Sequence, residues 1–295
     1  MPIAALSLVL FAALFHASYN YLAKSSRDTT IFLWWSVALG AAMYALWLAA
    51  SGLGFSLAPA SLPFFFLSAI AEVGYFAALV RGYAKGDLSL VYPLSRGSAP
   101  LFVALWSAIV LGERLPTLGY VGIALMIAGV YIASLTANGT GAARAVSARM
   151  LWVPFHNHAA RWALASAVFI AIYSLSDSQA IKATPPLVYN FWVNLGNVFT
   201  WALVVWRRDN VAQIMGELRV NWKRVMIAAV LTLGAYALVL IAQTMTSTSY
   251  VVAGRGTSVV IGALLGTLVL KEGFGALRIF CALMVVVGLA LIAVG

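Results

Sequence analysis

Charged side chains are scarce in this sequence: they make up 9% of its 295 residues, against roughly 25% in an ordinary soluble domain. Hydrophobic residues account for 63%, more apolar surface than a water-soluble core of this size can absorb. Cysteine is reduced to Cys281, which excludes an internal disulfide and a cysteine-based metal cluster. A Gly-rich phosphate loop ending in Lys-Ser/Thr is missing, so ATP is not hydrolysed by this chain. Period-two alternation is missing as well; the long runs are apolar on all sides, which excludes a membrane barrel. The charge that remains sums to +10. Its basic residues stand singly or in pairs between apolar runs, the pattern of a membrane protein and not of a nucleic-acid surface.

What the sequence has in abundance is membrane-length apolar runs. Crossing roughly 30 Å of hydrocarbon takes about 20 helical residues. Runs of that length fall near Ile3–Leu22, Ile31–Ala50, Leu62–Ala84, Ser89–Leu111 and Thr117–Thr136, then near Trp162–Ile181, Leu187–Trp206, Arg224–Gln243, Tyr250–Leu270 and Ala276–Val294. The expected fold is an all-α integral membrane protein with ten transmembrane helices. The first run has no basic flank or small-residue cleavage site and reads as a retained helix, not a signal peptide. Residues 207–223 read equally well as a surface amphipathic helix or a solvated loop.

Lys and Arg cluster in the odd-numbered connections: Lys24 and Arg27; Arg81 and Lys85; Arg144, Arg149 and Arg161; Arg207, Arg208, Arg219, Lys223 and Arg224; Lys271 and Arg278. The even-numbered connections hold only Arg114 and Lys182. The positive-inside rule puts the odd connections in the cytoplasm and both termini outside.

The sequence also repeats. A shift of 159 residues places Arg96 on Arg255, SRGSAP over GRGTSV, Glu113 on Glu272 and Gly129 on Gly288. A shift of 158 puts Lys24 on Lys182, and His16, Tyr19 and Asn20 on Ser174, Asp177 and Ser178. The halves are residues 1–136 and 162–295, joined by 137–161. Five spans is an odd number, so the second half runs inverted relative to the first, an architecture suited to alternating access.

The passages APLFVALWSAIVLGERLPTLGYVGIALMIAGVYI and SVVIGALLGTLVLKEGFGALRIFCALMVVVGLALI, with the opening HASYNYLAKS, resemble the EamA family of the drug/metabolite transporter superfamily. The resemblance covers nearly the whole chain and rests on a pattern of small residues with an acid (Glu113, Glu272) just after a span. It implies two copies of a five-helix unit, a transporter rather than an enzyme, and export as the usual direction. Val259 stands where the first half has Pro100, so a kink there need not be symmetric. Relatives are commonly drawn with cytoplasmic termini, opposite to the charge count.

Polar groups inside hydrocarbon cost roughly 2.5–3.5 kcal/mol each when ionisable, so each needs a partner or a wet cavity. Glu72 lies mid-span without an acidic counterpart in the repeat, where Leu231 stands. It reads either as a coupling carboxylate or substrate counter-charge, or as a structural ion pair with Arg96 or Arg255. Tyr75 and Phe76 share its helix face. Arg96 and Arg255, each beside glycine, can clamp a carboxylate or phosphoryl group; the alternative is snorkelling, since Arg255 is only a few residues inside its span. His16, Tyr19 and Asn20 form one polar stripe, and Ser174, Asp177 and Ser178 form the related one; cavity lining and helix–helix bonding are the two uses. Asn190, Asn194 and Asn197 line one face as a hydrated path or a seam. Tyr92 and Trp106 are candidates for substrate contact, while Trp34, Trp35, Trp152, Trp162, Trp201, Trp206 and Trp222 read as interfacial anchors. His156 and His158 give only a weak metal signal, so neither a metal nor a cofactor is expected.

The expected function is a secondary transporter of small polar metabolites in a bacterial-type inner membrane. An acid with two arginines suits a zwitterion such as an amino acid. Protons are the candidate coupling ion, and a monomer or weak dimer suffices. The alternatives are a passive channel or scramblase, and an intramembrane enzyme acting on a lipid-linked substrate.

Overall fold

The computed structural model describes residues 1–85, 88–135, 158–209, 211–258, 261 and 276–294. Among them lie ten α-helices and one short 3-10 turn, Pro59–Ser61. In chain order the helices are α1 Ile3–Lys24, α2 Thr29–Ser51, α3 Leu62–Tyr83, α4 Leu88–Val110 and α5 Thr117–Leu135. The second set is α6 His158–Ala180, α7 Pro186–Arg208, α8 Val211–Gln243, α9 Thr248–Arg255 and α10 Ala276–Val294. Among the described residues, five stretches are long and apolar enough to cross a membrane: Ile3–Ala23, Thr29–Ser51, Pro59–Tyr83, His158–Ala180 and Val211–Gln243. The side chain of Tyr92, and the whole of His156, Val259 and Glu272, lie outside the described residues.

The molecule is inside-out relative to a soluble bundle. Large apolar side chains such as Leu46, Ile70, Ile109, Phe199 and Leu203 face outward, where lipid tails solvate them at no cost. Small residues fill the interior. On α6 the buried stripe reads Ala159, Ala160, Ala163, Ser166, Ala167, Ile170, Ala171, Ser174, and α3 and α4 pack along it. Backbones approach closely where glycine permits. A Cβ on Gly122 of α5 would lie 2.6 Å from the Gly288 carbonyl oxygen of α10, and the reverse distance is the same.

Helix ends follow from local chemistry. Asp28 caps α2, its carboxylate accepting from the amides of Thr30 (2.8 Å) and Ile31 (3.1 Å). Gly52 ends α2 in the left-handed region, φ 75°, which a residue without Cβ enters freely. The ambiguous segment before the eighth apolar run is helical: Val211–Gln243 is one element bent at Asn221, where φ −110° and ψ 15° depart from helical values. The Asn221 side chain donates to Glu217 at 2.7 Å, and the other Glu217 oxygen accepts from the Asp28 amide at 3.3 Å. The limb ahead of the bend is therefore tied to the connection after α1.

Packing follows the repeat. The extensive interfaces are α3 with α6, α1 with α8, and α5 with α10. Replacing each helix by its mate five places on converts the first into the second and leaves the third unchanged. Other equivalent pairs break the rule among the described residues: α2 lies along α8 whereas α3 touches α7 only briefly, and α4 packs more extensively on α6 than α9 does on α1.

Candidate functional site

Two openings among the described residues bear on the site. The larger, a cavity of about 40 Å³, lies between α1, α4, α6, α8 and α9, where the two halves meet. Its walls carry small and apolar side chains (Ala12, Ala13, Ala99, Ile170, Ala235, Val239), and its polar groups are His16, Arg96, Tyr173, Arg255 and Ser258. The smaller, of about 10 Å³, opens between α3 and α7, and holds Ser68, Glu72 and Thr200.

Each arginine rests on a tyrosine of the preceding helix. The Arg96 guanidinium carbon lies 5.3 Å from the Tyr75 ring centroid, and its terminal nitrogen donates to the Tyr75 hydroxyl at 2.9 Å. The Arg255 carbon lies 5.6 Å from the Tyr236 ring centroid. A ring face attracts a cation without neutralising it. Both charges are thus positioned at the cavity, and a guanidinium is chemically matched to a carboxylate or phosphoryl group. Tyr75 is packed against Phe76 and Tyr173, with centroids at 4.8 and 6.3 Å. His16 faces the same cavity, its Nδ1 2.6 Å from the Tyr19 hydroxyl.

Asp177 is fully buried on α6. Tyr189 of α7 donates to one carboxylate oxygen at 2.6 Å, and Tyr236 of α8 donates to the other in a short contact. Tyr236 thus offers its ring to Arg255 and its hydroxyl to Asp177. Glu72 looks into the α3–α7 opening, within bonding reach of Asn197.

Of the residues singled out in the sequence, His16, Arg96 and Arg255 come together in the larger cavity, with Tyr75 behind Arg96. Tyr19 supports His16. Asn20 is exposed and donates to the His16 carbonyl at 2.7 Å, and Ser178 donates to the Leu175 carbonyl at 2.7 Å. Trp106 projects outward from α4, 40% exposed, and lines neither opening. Asn190 and Asn194 form a seam: Asn194 donates to the Asn190 carbonyl and side-chain oxygens at 2.8 and 2.9 Å, and Asn190 donates to the Leu233 carbonyl of α8 at 3.3 Å. Sequence reasoning missed Tyr173, Tyr189, Tyr236 and Ser68. Tyr173 stands four residues before Asp177 on one helix face, the same spacing that exposed the other stripes. Tyr236 stands mid-run, too deep for an interfacial anchor.

A family model described as the EamA-like transporter family matches residues 3–135 and 158–294. The chain belongs to that family. Membership makes it a multi-pass membrane transporter of the drug/metabolite transporter superfamily, built from two repeats, whose substrates are small molecules. Among solved proteins, one crystal structure is similar over 100% of this chain and 98% of its own, with a TM-score of 0.74 at 15% identity. That likeness shows a shared fold alone. No curated protein sequence gives a significant match.

Proposed function

We propose that the chain is a secondary carrier of small metabolites bearing an anionic group, amino acids among them, working by alternating access between inverted halves 1–136 and 162–295. The observation that carries this reading is the pair Arg96 and Arg255. They are repeat-related, each is seated on a tyrosine, and both face one cavity at the junction of the halves.

Ten crossings are supported by how the connections meet. After α2, the Ala58 amide and Ser61 hydroxyl bond to Thr184, which follows α6, at 3.0 and 2.8 Å. After α1, the Asp28 amide meets Glu217, which follows α7. Even connections thus join even ones and odd join odd. The unequal α2–α8 and α3–α7 interfaces, which the repeat would exchange, fit a carrier held in one of two states. An inner-membrane site with the basic connections in the cytoplasm follows the charge bias.

Flux of a radiolabelled amino-acid mixture into proteoliposomes tests the proposal. Saturable flux of unmodified amino acids is expected. Truncating either arginine to alanine should remove about 2 kcal/mol of charge-assisted binding, roughly thirty-fold in apparent affinity. Non-saturable leak supports a channel, and chemical conversion supports an enzyme.

A further inference from the structure

Asp177 meets Tyr236, whose ring faces Arg255 at the larger cavity, but does not itself line that cavity; Glu72 lines the other opening. Two acids are therefore placed beside the arginine site but outside it, close enough to feel one another's charge. A hydroxyl also stands between the two acids. Ser68, 1% exposed, lines the α3–α7 opening with Glu72 and lies within bonding reach of Asp177 and Tyr189. A hydroxyl both donates and accepts, so it can link the opening to the buried carboxylate. The remaining titratable or charged groups around the two acids are His16 on α1, Arg96 on α4, Tyr173 on α6, Tyr189 on α7, Tyr236 on α8 and Arg255 on α9.

Resting on the carrier reading above, we infer that Glu72 and Asp177 form a proton site distinct from the substrate cavity, and that one proton binds there together with the substrate's anionic group. The sign comes from charge balance. With both acids ionised, two guanidinium and two carboxylate charges sum to zero inside a low-dielectric region. A substrate carrying one net negative charge, such as an acidic amino acid, seated between the arginines adds that charge to the region, and net charge there is costly. One proton taken up by the acid pair restores neutrality. Binding of each then favours binding of the other to the same extent. The proton arrives through the α3–α7 opening and leaves on the opposite side with the substrate. Tyr236 is the positioning residue, because one side chain contacts both Arg255 and Asp177. Export by proton exchange would need the opposite sign, with substrate displacing the proton.

Proteoliposomes with the membrane potential clamped at zero decide the matter, using radiolabelled acidic amino acids, which carry one net negative charge. One proton per cycle sustains accumulation of about tenfold per pH unit, on the side away from the acid. Asp177→Asn and Glu72→Gln should each lower this accumulation at least fivefold more than they lower amino-acid exchange at equal pH. Tyr236→Phe keeps the ring and removes the hydroxyl, and should split the two readouts in the same direction; a purely structural role would lower both together. The inference is overturned if the wild type exchanges but accumulates under neither gradient. It is also overturned if accumulation needs the opposite gradient, or if the variants lose both activities equally. Absence of any saturable flux would defeat the carrier reading, and this inference with it.

Discussion

Arg96 meets one side chain twice: its charge sits over the Tyr75 ring while a terminal nitrogen bonds to the Tyr75 hydroxyl. A lysine ammonium cannot do both, because it is a compact point charge without a planar fork. Arg96→Lys is therefore expected to weaken substrate binding by about 1–2 kcal/mol, five- to thirty-fold in the KM of flux, at nearly unchanged thermal stability. A wild-type KM in the Lys variant would argue that the guanidinium shape is not used. The two arginines were legible in the sequence because buried charge is rare and the repeat matched them. Their tyrosine seats were not, since Tyr236 aligns with Ala77 under the 159-residue shift and carries no mirrored signal. Trp34 and Trp35 show a similar limit. Proximity to a span end marks them as interfacial anchors, yet their indole nitrogens donate to the carbonyls of Val198 (3.2 Å) and Ile214 (2.9 Å), so they fasten α2 to α7 and to the limb ahead of the bend in α8.

Between helices, what matters is how near two backbones come. Gly122 and Gly288 let α5 and α10 touch at carbonyl distance. Lipid-solvated helices gain little from burying apolar surface, so such packing carries much of the association. Gly288→Leu should force the pair apart at a cost of about 1–3 kcal/mol, seen as a lowered melting temperature in detergent. Gly216 is the counter-example: it is helical, and a Cβ there meets nothing within 4 Å. Gly216→Ala should leave the melting temperature level or raise it slightly, by up to about 1 kcal/mol of stability. The reverse order of these two effects would show that the α5–α10 approach is not a stabilising contact. Sequence periodicity located these helices well because lipid demands an unbroken apolar run. It left the limb 211–220 undecided, because its helix is held by Glu217 and Trp35, contacts that exist only after folding.

At the scale of the molecule, sidedness follows from how charges are sorted between the two ends of the bundle. The connections after α1 and α7 are joined through Asp28–Glu217 and through the Arg224 guanidinium on the Ser25 carbonyl at 3.3 Å. Arg27, Arg219, Lys223 and Arg224 therefore gather at one end, while Lys182 lies at the other. Retaining basic residues on the cytoplasmic side sets membrane orientation, and nothing in the packing opposes this sorting. On a Cys281→Ser background, Lys182→Cys should react with a membrane-impermeant maleimide in intact cells, whereas Lys223→Cys should react only after permeabilisation. Both positions are exposed, so accessibility to the reagent is governed by the membrane and not by the fold. Labelling of Lys223→Cys in intact cells, with Lys182→Cys protected, would invert the molecule and place the basic end outside. The charge bias would then have to serve the protein itself, for instance by attracting anionic substrates to that mouth, rather than its insertion.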